Sequence, residues 1–145
     1  GGTTVADGVS VSTSYKLGDT VITGITPGTG ASSVLANISA GSGTVKVLKA
    51  DGTENTGAVG TGNKIAVYAN GTLVKQYDVV IYGDINGDGK ISVVDLVMMQ
   101  KQILGTSQLS GAYAAAADIS RDGKVSVKDL VLLQKHIINA AQIEQ

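Results

Sequence analysis

The spacing of apolar residues changes once along the chain and divides it into two parts. In its first part, from residue 9 to residue 82, apolar residues alternate with small polar ones, which predicts half-buried β-strands. Residues 31–38 carry their apolar side chains at helical spacing instead, so we predict one short helix there. The predicted strands, separated by turns rich in Gly and Asp, cover residues 9–15, 20–25, 44–49, 65–68 and 73–82.

From residue 83 onward the period becomes that of an α-helix. Residues 93–104 and 127–138 match position by position, and each carries an apolar stripe at i, i+3 and i+7. Gly105 gives the first of these helices a natural C-cap, and residues 111–117 can form a shorter helix between them. We predict that the two stripes face each other and form a small core. They consist of Leu96, Met99 and Ile103, and of Leu130, Leu133 and Ile137.

The change of period predicts two small modules. We assign residues 1–8 to a linker, 9–82 to a β-rich module and 83–145 to an all-α module built from two repeats. The β-rich module is expected to be a sandwich or a grasp-like sheet with one short helix. Because no flexible linker separates the two modules, we expect them to pack against each other.

The segment before the first long helix is a candidate metal site. It places side-chain oxygens at alternate positions, followed at once by Gly89. A twelve-residue loop that binds Ca²⁺ supplies oxygens from positions 1, 3, 5, 7, 9 and 12 and turns sharply at a glycine in position 6. Asp95 stands where such loops usually carry Glu, so the loop must draw in slightly. The predicted ligands are Asp84, Asn86, Asp88, the Lys90 carbonyl, Ser92 (directly or through a water) and Asp95.

The same pattern recurs before the second long helix. Ser120 is a poorer ligand than Asn86, and Arg121 adds a positive charge nearby, so we expect the second loop to bind its ion more weakly. One such loop could be an ordinary Asp/Gly turn, but two copies in register, each followed by an apolar helix, predict two calcium ions. The second set of ligands is Asp118, Ser120, Asp122, the Lys124 carbonyl, Ser126 and Asp129.

The first loop has no helix in front of it. Residues 77–82 are β-branched and aromatic, which favours a strand. A calcium sensor needs a helix on each side of its loop, because its switch is a change in the angle between them. We therefore expect the ions to hold the fold together, without a calmodulin-like change of shape.

The two repeats, residues 83–96 and 117–130, closely resemble the duplicated loop–helix repeats of the dockerin domain of cellulosomes. The resemblance extends to about residue 138. It implies one calcium ion in each loop and docking onto a cohesin domain of a scaffolding or cell-surface protein. By position and turn pattern alone, the β-rich module resembles the X-module or Ig-like domain that precedes some dockerins.

The resemblance also implies which residues contact the partner: loop positions 10 and 11, and residues further along each helix. Val93 and Val127 could instead begin their helices and pack inward, whereas Val94 should face outward because its counterpart is Lys128. Because the two faces are nearly identical, either helix could dock after a half-turn rotation, which we state as a hypothesis. The predicted contact residues are Val93, Val94, Val97, Met98, Gln100, Lys101, Val127, Lys128, Val131, Leu132, Gln134 and Lys135.

Charge and composition limit the other partners. The chain has 11 Lys and Arg against 12 Asp and Glu and no basic run, which argues against nucleic acid and anionic membranes. No apolar stretch approaches the length needed to cross a bilayer. Weak calcium loops suit the extracellular medium, so we expect a secreted protein. The chain opens without Met or a signal-type segment, and we expect it to be a piece of something longer.

No catalytic constellation is evident. The β-rich module contains neither His nor Cys, and its acidic residues fall mostly in predicted turns. The single histidine, His136, is predicted to be a packing residue and not a metal ligand. We therefore predict a non-catalytic, calcium-dependent docking module. The alternative is a calcium-stabilised structural or adhesive domain of a secreted protein whose partner is not a cohesin.

Overall fold

The computed structural model describes residues 9–145 and, as backbone alone, residues 2–4. Three residues of the predicted linker form a strand, β1, which pairs antiparallel with β2, while residues 1 and 5–8 lie outside the described part. The strands are β1 (Gly2–Thr4), β2 (Ser10–Thr13), β3 (Lys16–Leu17), β4 (Val21–Thr23), β5 (Ile38–Ser39), β6 (Thr44–Leu48), β7 (Lys64–Ala69) and β8 (Thr72–Val79). The helices are α1 (Ala31–Ala36), α2 (Val93–Leu104), α3 (Gly111–Ala117) and α4 (Val127–Ile137).

The N-terminal module consists of two sheets that share one core. One sheet has the antiparallel order β1-β2-β5, and the other has the order β3-β4-β8-β7-β6 with a parallel pair at β4 and β8. Val11 of β2 and Ile38 of β5 meet Ile22, Ile65 and Val79 of the larger sheet in the same buried cluster. The predicted β-rich module is therefore confirmed, and it consists of two sheets with one core, not of the single grasp-like sheet that was the other expectation.

The strands differ from the prediction mainly at their ends. β8 ends at Val79 and does not run to Tyr82. The physical reason is a change of hydrogen-bond partner: the Ile81 N–H donates to the Thr61 hydroxyl oxygen at 3.0 Å, and no neighbouring strand receives it. The two-residue strand β3 was not predicted, since so short a segment carries no recognisable period. The short helix predicted over residues 31–38 ends at Ala36, and Ile38 instead begins β5, where it pairs with Thr13 of β2.

In the C-terminal module, the two long helices α2 and α4 pack together around one hydrophobic core. Met99 of α2 and Leu133 of α4 are fully buried and pack with Ile85, Ala117 and Ile119. The other residues of the two predicted stripes are half-buried against the same cluster, so the predicted facing of the helices is confirmed. Among the described residues, no helix is both long and apolar enough to cross a membrane.

The end of the chain folds back onto the start of this module. The Gln145 side chain accepts a hydrogen bond from the Tyr82 N–H at 2.6 Å and donates one to the Tyr82 carbonyl at 2.8 Å. His136 is half-buried and its Nδ1 accepts a hydrogen bond from the Ile143 N–H, which agrees with its predicted packing role. The Arg121 guanidinium lies 4.0 Å from the centre of the Tyr82 ring and donates to the Glu144 carbonyl. These contacts join the two ends of the C-terminal module.

Candidate metal centres and docking surface

The loop before α2 draws three carboxylates together. Carboxylate oxygens of Asp84, Asp88 and Asp95 lie within 4.8 Å of one another. Asp95, on the first turn of α2, accepts hydrogen bonds from the N–H groups of Ile85 and Asn86 with one oxygen and from that of Ser92 with the other. Each of these donors lies in the loop, so the first turn of the helix fixes the loop's shape.

Asp84, at position 1 of this loop, is held from both sides. Its Oδ1 accepts from the Gly87 N–H, and its Oδ2 accepts from the Gly89 N–H at 3.0 Å and from the Thr61 N–H at 2.9 Å. Thr61 belongs to the β-rich module, so a residue outside the repeat helps to position this carboxylate. Asp84 and Asp95 are both fully buried.

Burial makes these carboxylates hard to ionise without a cation. It raises the pKa of Asp84 to about 6, an effect that the Thr61 and Gly89 N–H groups oppose and the Asp95 and Asp88 charges reinforce. Burial likewise raises the pKa of Asp95, against the hydrogen bonds from Asn86, Ser92 and Ile85. In the described part of the chain, neither carboxylate forms an ion pair with Lys or Arg.

The loop before α4 repeats the arrangement in a more open form. Carboxylate oxygens of Asp118, Asp122 and Asp129 also lie within 4.8 Å of one another. Asp129 accepts from the N–H groups of Ser120 and Ser126, as Asp95 does from Asn86 and Ser92. Asp118, however, is half-buried, and the hydrogen bonds it receives come from its own loop. The backbone hydrogen bond from Lys124 lowers the pKa of the exposed Asp122.

Both clusters fit a hard divalent cation. Two oxygens on opposite sides of a Ca²⁺ ion lie about 5 Å apart, so carboxylates that approach within 4.8 Å can share one ion. The donor set is carboxylate, amide and hydroxyl oxygen, which suits Ca²⁺ better than a softer metal. Lys90 and Lys124 are exposed, consistent with residues that would offer only a backbone carbonyl. Arg121, expected to weaken the second site, contacts Tyr82 and the Glu144 carbonyl.

The β-rich module packs against the first loop, as predicted from the absence of a linker. Besides the Thr61 contact, the Gly28 N–H donates to the Gly89 carbonyl at 2.9 Å. The approach at Gly60 is so close that a Cβ there would lie 2.7 Å from the Gly87 carbonyl carbon. At Gly62, an added Cβ would overlap the Tyr113 side chain of α3. The two modules therefore meet without a gap at this loop.

An apolar surface lies on the first turns of α2 and α4. Val93 is 58% exposed and Val127 is 60% exposed, so the alternative that these residues pack inward is wrong. Val94 faces outward as predicted, beside the partly exposed Val97, and Val131 is exposed on α4. The predicted polar neighbours are all exposed: Gln100, Lys101, Lys128, Gln134 and Lys135.

Met98 and Leu132 do not belong to this exposed surface as fully as the sequence suggested. Both are half-buried and pack against the core of the C-terminal module. Leu132 lines a cavity with Ile119 and residues 141–144, so the returning end of the chain covers part of its side chain. The i, i+3, i+7 stripe alone could not reveal this, because the covering segment lies beyond the end of α4 and outside the helical pattern.

The C-terminal module thus belongs to a class defined by two acidic loops, each followed by a helix whose first turn closes the loop. Its residues 82–138 match the family model of the dockerin type I domain, which confirms the resemblance seen in the sequence over this segment. The match covers less than half of the chain and does not include the β-rich module. No curated protein matches the chain.

Two solved structures are similar to part of the chain. Both are of the third cohesin ScaC in complex with the ScaB dockerin from Acetivibrio cellulolyticus, displaying a type I interaction, with an IN to SI mutation in the N-terminal or the C-terminal helix. The first is 25% identical over 45% of this chain and 92% of its own, with a TM-score of 0.42. The second is 26% identical over 45% and 96%, with a TM-score of 0.41. TM-scores this low establish no common overall fold, so the assignment rests on the family match.

Proposed function

We propose that the C-terminal module is a calcium-loaded dockerin that docks onto a cohesin domain and so attaches a larger secreted protein to a cellulosome-type assembly. The observation that carries the proposal is the pair of three-carboxylate clusters, in the same register before two matching helices. The family match over residues 82–138 supports it. The role is non-catalytic.

Each loop would hold one Ca²⁺ ion. The proposed ligands of the first ion are Asp84, Asn86, Asp88, the Lys90 carbonyl, Ser92 and Asp95, and those of the second are Asp118, Ser120, Asp122, the Lys124 carbonyl, Ser126 and Asp129. The ion would supply the positive charge that the converging carboxylates lack. By neutralising them, it would tie each loop to the first turn of the helix that follows it.

The exposed valines at the start of α2 and α4 would form the centre of the docking surface. Val93, Val94 and Val97 on α2 lie among exposed Gln and Lys side chains, the composition of an apolar interface core with a polar rim. Val127 and Val131 repeat this surface on α4, where Lys128 replaces Val94. The type I family match favours a type I cohesin as the partner.

Because the two helices present similar surfaces, we also propose that the module can dock in two orientations related by a half-turn. A double substitution of Val93 and Val94 should then leave binding through α4, and a double substitution of Val127 and Lys128 should leave binding through α2. Complete loss of binding from either pair alone would exclude the dual mode.

The β-rich module is proposed to act as an X-module-like support that fixes the orientation of the docking module. The contacts of Gly28, Gly60 and Thr61 with the first loop support this role. NMR relaxation of the full chain should give a single rotational correlation time. Independent tumbling of the two halves would refute a supporting role.

The experiment that tests the docking function is a titration of the full chain against a panel of cohesin domains, in calcium and then in chelator. We expect saturable binding to at least one cohesin in calcium and its loss in chelator. A variant that combines Val94→Asp on α2 with Val127→Asp on α4 should bind at least tenfold more weakly, since a charge at the interface core then leaves an unpaired group in either orientation. Calcium binding without affinity for any cohesin would favour the structural or adhesive alternative.

A further inference from the structure

The two acidic loops have nearly the same sequence, but their surroundings differ. At position 6 of the second loop, Gly123 has no atom within 4 Å of where a Cβ would lie. At the same position of the first loop, a Cβ on Gly89 would lie 2.8 Å from the Val59 carbonyl oxygen. The outer side of the first loop is therefore covered by the β-rich module, and that of the second loop is open.

The covering segment is residues 59–61, which runs along the first loop. Its closest approach is at Gly60, where a Cβ would lie 2.8 Å from the Gly89 nitrogen and would overlap the Gly87 carbonyl oxygen. Immediately after it, the Thr61 N–H donates to Asp84 Oδ2. The Thr61 hydroxyl is fixed in turn, since it accepts from the Ile81 N–H at 3.0 Å and donates to the Ile81 carbonyl at 3.2 Å.

We propose that this segment of the β-rich module forms the outer hydrogen-bonding shell of the first calcium site, so that the module raises the calcium affinity of the first loop and not of the second. The inference rests on the proposed function, because it assumes that both loops bind calcium. Thr61 and Gly60 are positioning residues: they act through Asp84 and do not touch the ion.

The physical reason is the geometry of the Asp84 carboxylate. With Oδ2 held by the Thr61 and Gly89 N–H groups, the carboxylate cannot rotate freely, and Oδ1 stays directed into the loop beside the Gly87 N–H. Outer-shell hydrogen bonds of this kind orient a ligand before the metal arrives. In the second loop, Asp118 Oδ2 has the Gly123 N–H as its donor, and none of the described residues of the β-rich module donates to it.

The test is a calcium titration of the full chain and of a Gly60→Ala variant, followed by NMR through the amide signals of Gly89 and Gly123. These two glycines occupy position 6 of the two loops, so each reports one site. Gly60 does not have a positive φ, so alanine there is sterically excluded only by the contact with the first loop. We expect the calcium affinity at Gly89 to fall about tenfold or more, the usual cost of losing an outer-shell partner, with no change at Gly123.

Gly57→Ala is the matched control. It lies three residues before Gly60 and outside the covering segment, also lacks a positive φ, and would place its Cβ at an ordinary distance of 3.7 Å from the Asn55 side-chain oxygen. In this variant, the calcium midpoints at Gly89 and at Gly123 should both keep their wild-type values. If the calcium midpoint at Gly89 is unchanged in Gly60→Ala, this inference is overturned but the proposed function stands. If either amide fails to respond to calcium in the wild type, the proposed function itself is refuted.

A second pair of variants decides the matter if Gly60→Ala prevents the β-rich module from folding. Thr61→Val removes the hydroxyl that fixes residue 61 to Ile81, and Thr61→Ser keeps it. The valine variant should shift the Gly89 midpoint to higher calcium and the serine variant should restore it. Equal shifts at Gly89 and Gly123, or equal effects of valine and serine, would overturn the inference.

Discussion

Asp95→Asn is the substitution that most directly separates a calcium ligand from an ordinary helix cap. Asp95 is fully buried and accepts three backbone hydrogen bonds: from Ile85 at 2.8 Å, from Asn86 at 3.0 Å and from Ser92 at 2.9 Å. Asparagine has the same shape and can keep its oxygen toward Ile85 and Asn86. Its amide nitrogen would then face the Ser92 N–H, donor against donor, so one bond is lost together with the charge.

The expected cost differs between the two metal states. In chelator, the variant loses one hydrogen bond, about 1 kcal/mol, and this loss is offset because a neutral side chain no longer repels Asp84 and Asp88. In calcium at one hundred times the dissociation constant, the wild type gains about 2.7 kcal/mol per site from binding, and the variant forfeits that gain at the first site. The free energy of unfolding should therefore fall by roughly 3 kcal/mol in calcium and by about 1 kcal/mol or less in chelator.

Urea unfolding followed by far-ultraviolet circular dichroism measures both values. Asp129→Asn is the counterpart in the second loop, where the same hydrogen bonds from Ser120 and Ser126 are present. Asp19→Asn is the control: its side chain is almost wholly exposed, and the change should stay within about 0.5 kcal/mol in either state. An equal loss of stability for Asp95→Asn in calcium and in chelator would show that Asp95 only caps α2.

Three further predictions follow from other parts of the molecule. Leu133→Ala, in the centre of the helical core, should lower the free energy of unfolding, measured by calorimetry, by about 2–5 kcal/mol in both metal states. Almost no loss of stability would show that the core does not depend on Leu133. Gln145→Ala removes both hydrogen bonds to Tyr82 and should speed amide hydrogen exchange at Tyr82, while unchanged exchange would mean that the end of the chain does not hold it. Burial raises the pKa of Asp84 to about 6, above its ordinary value of 3.8, so between pH 3.8 and 6 the metal-free folded chain holds a proton that the unfolded chain has lost. Urea unfolding without metal should therefore give a free energy of unfolding that falls as the pH rises through this interval, and a rise would contradict the raised pKa of Asp84.

The sequence predicts best those features whose causes are local. The bounds of α2 follow from its helical period and from Gly105, which has the left-handed conformation of a C-cap. The acidic clusters follow from alternating ligands and a glycine within one loop, and the carboxylates do converge at both places. In each case the residues that determine the structure lie within about three turns of chain.

Features that depend on distant contacts were missed. The parallel pairing of β4 with β8 joins segments more than fifty residues apart, and no period within either strand indicates it. The contact between Gln145 and Tyr82 spans 63 residues and uses an ordinary polar side chain at the chain end. Gly60 opens a hydrogen-bonded turn, in which the Asn63 N–H donates to the Gly60 carbonyl at 3.1 Å, so its sequence context indicated a turn and not the close approach to the first loop.

Position 4 of the two acidic loops shows how loops of nearly identical sequence make different contacts with the rest of the chain. Both residues there have positive φ, 79° for Gly87 and 61° for Arg121, so the loop geometry alone does not require glycine. A Cβ on Gly87 would overlap the Thr61 carbonyl oxygen, so a side chain at this place would push the β-rich module off the first loop. In the second loop the same place is open, and Arg121 uses it to reach Tyr82. The repeats are therefore alike on the helix faces that would meet a partner and unlike on the side that meets the rest of the chain. If either helix can dock, the β-rich module, which packs against the first loop, must come to lie at a different position relative to the partner in each orientation.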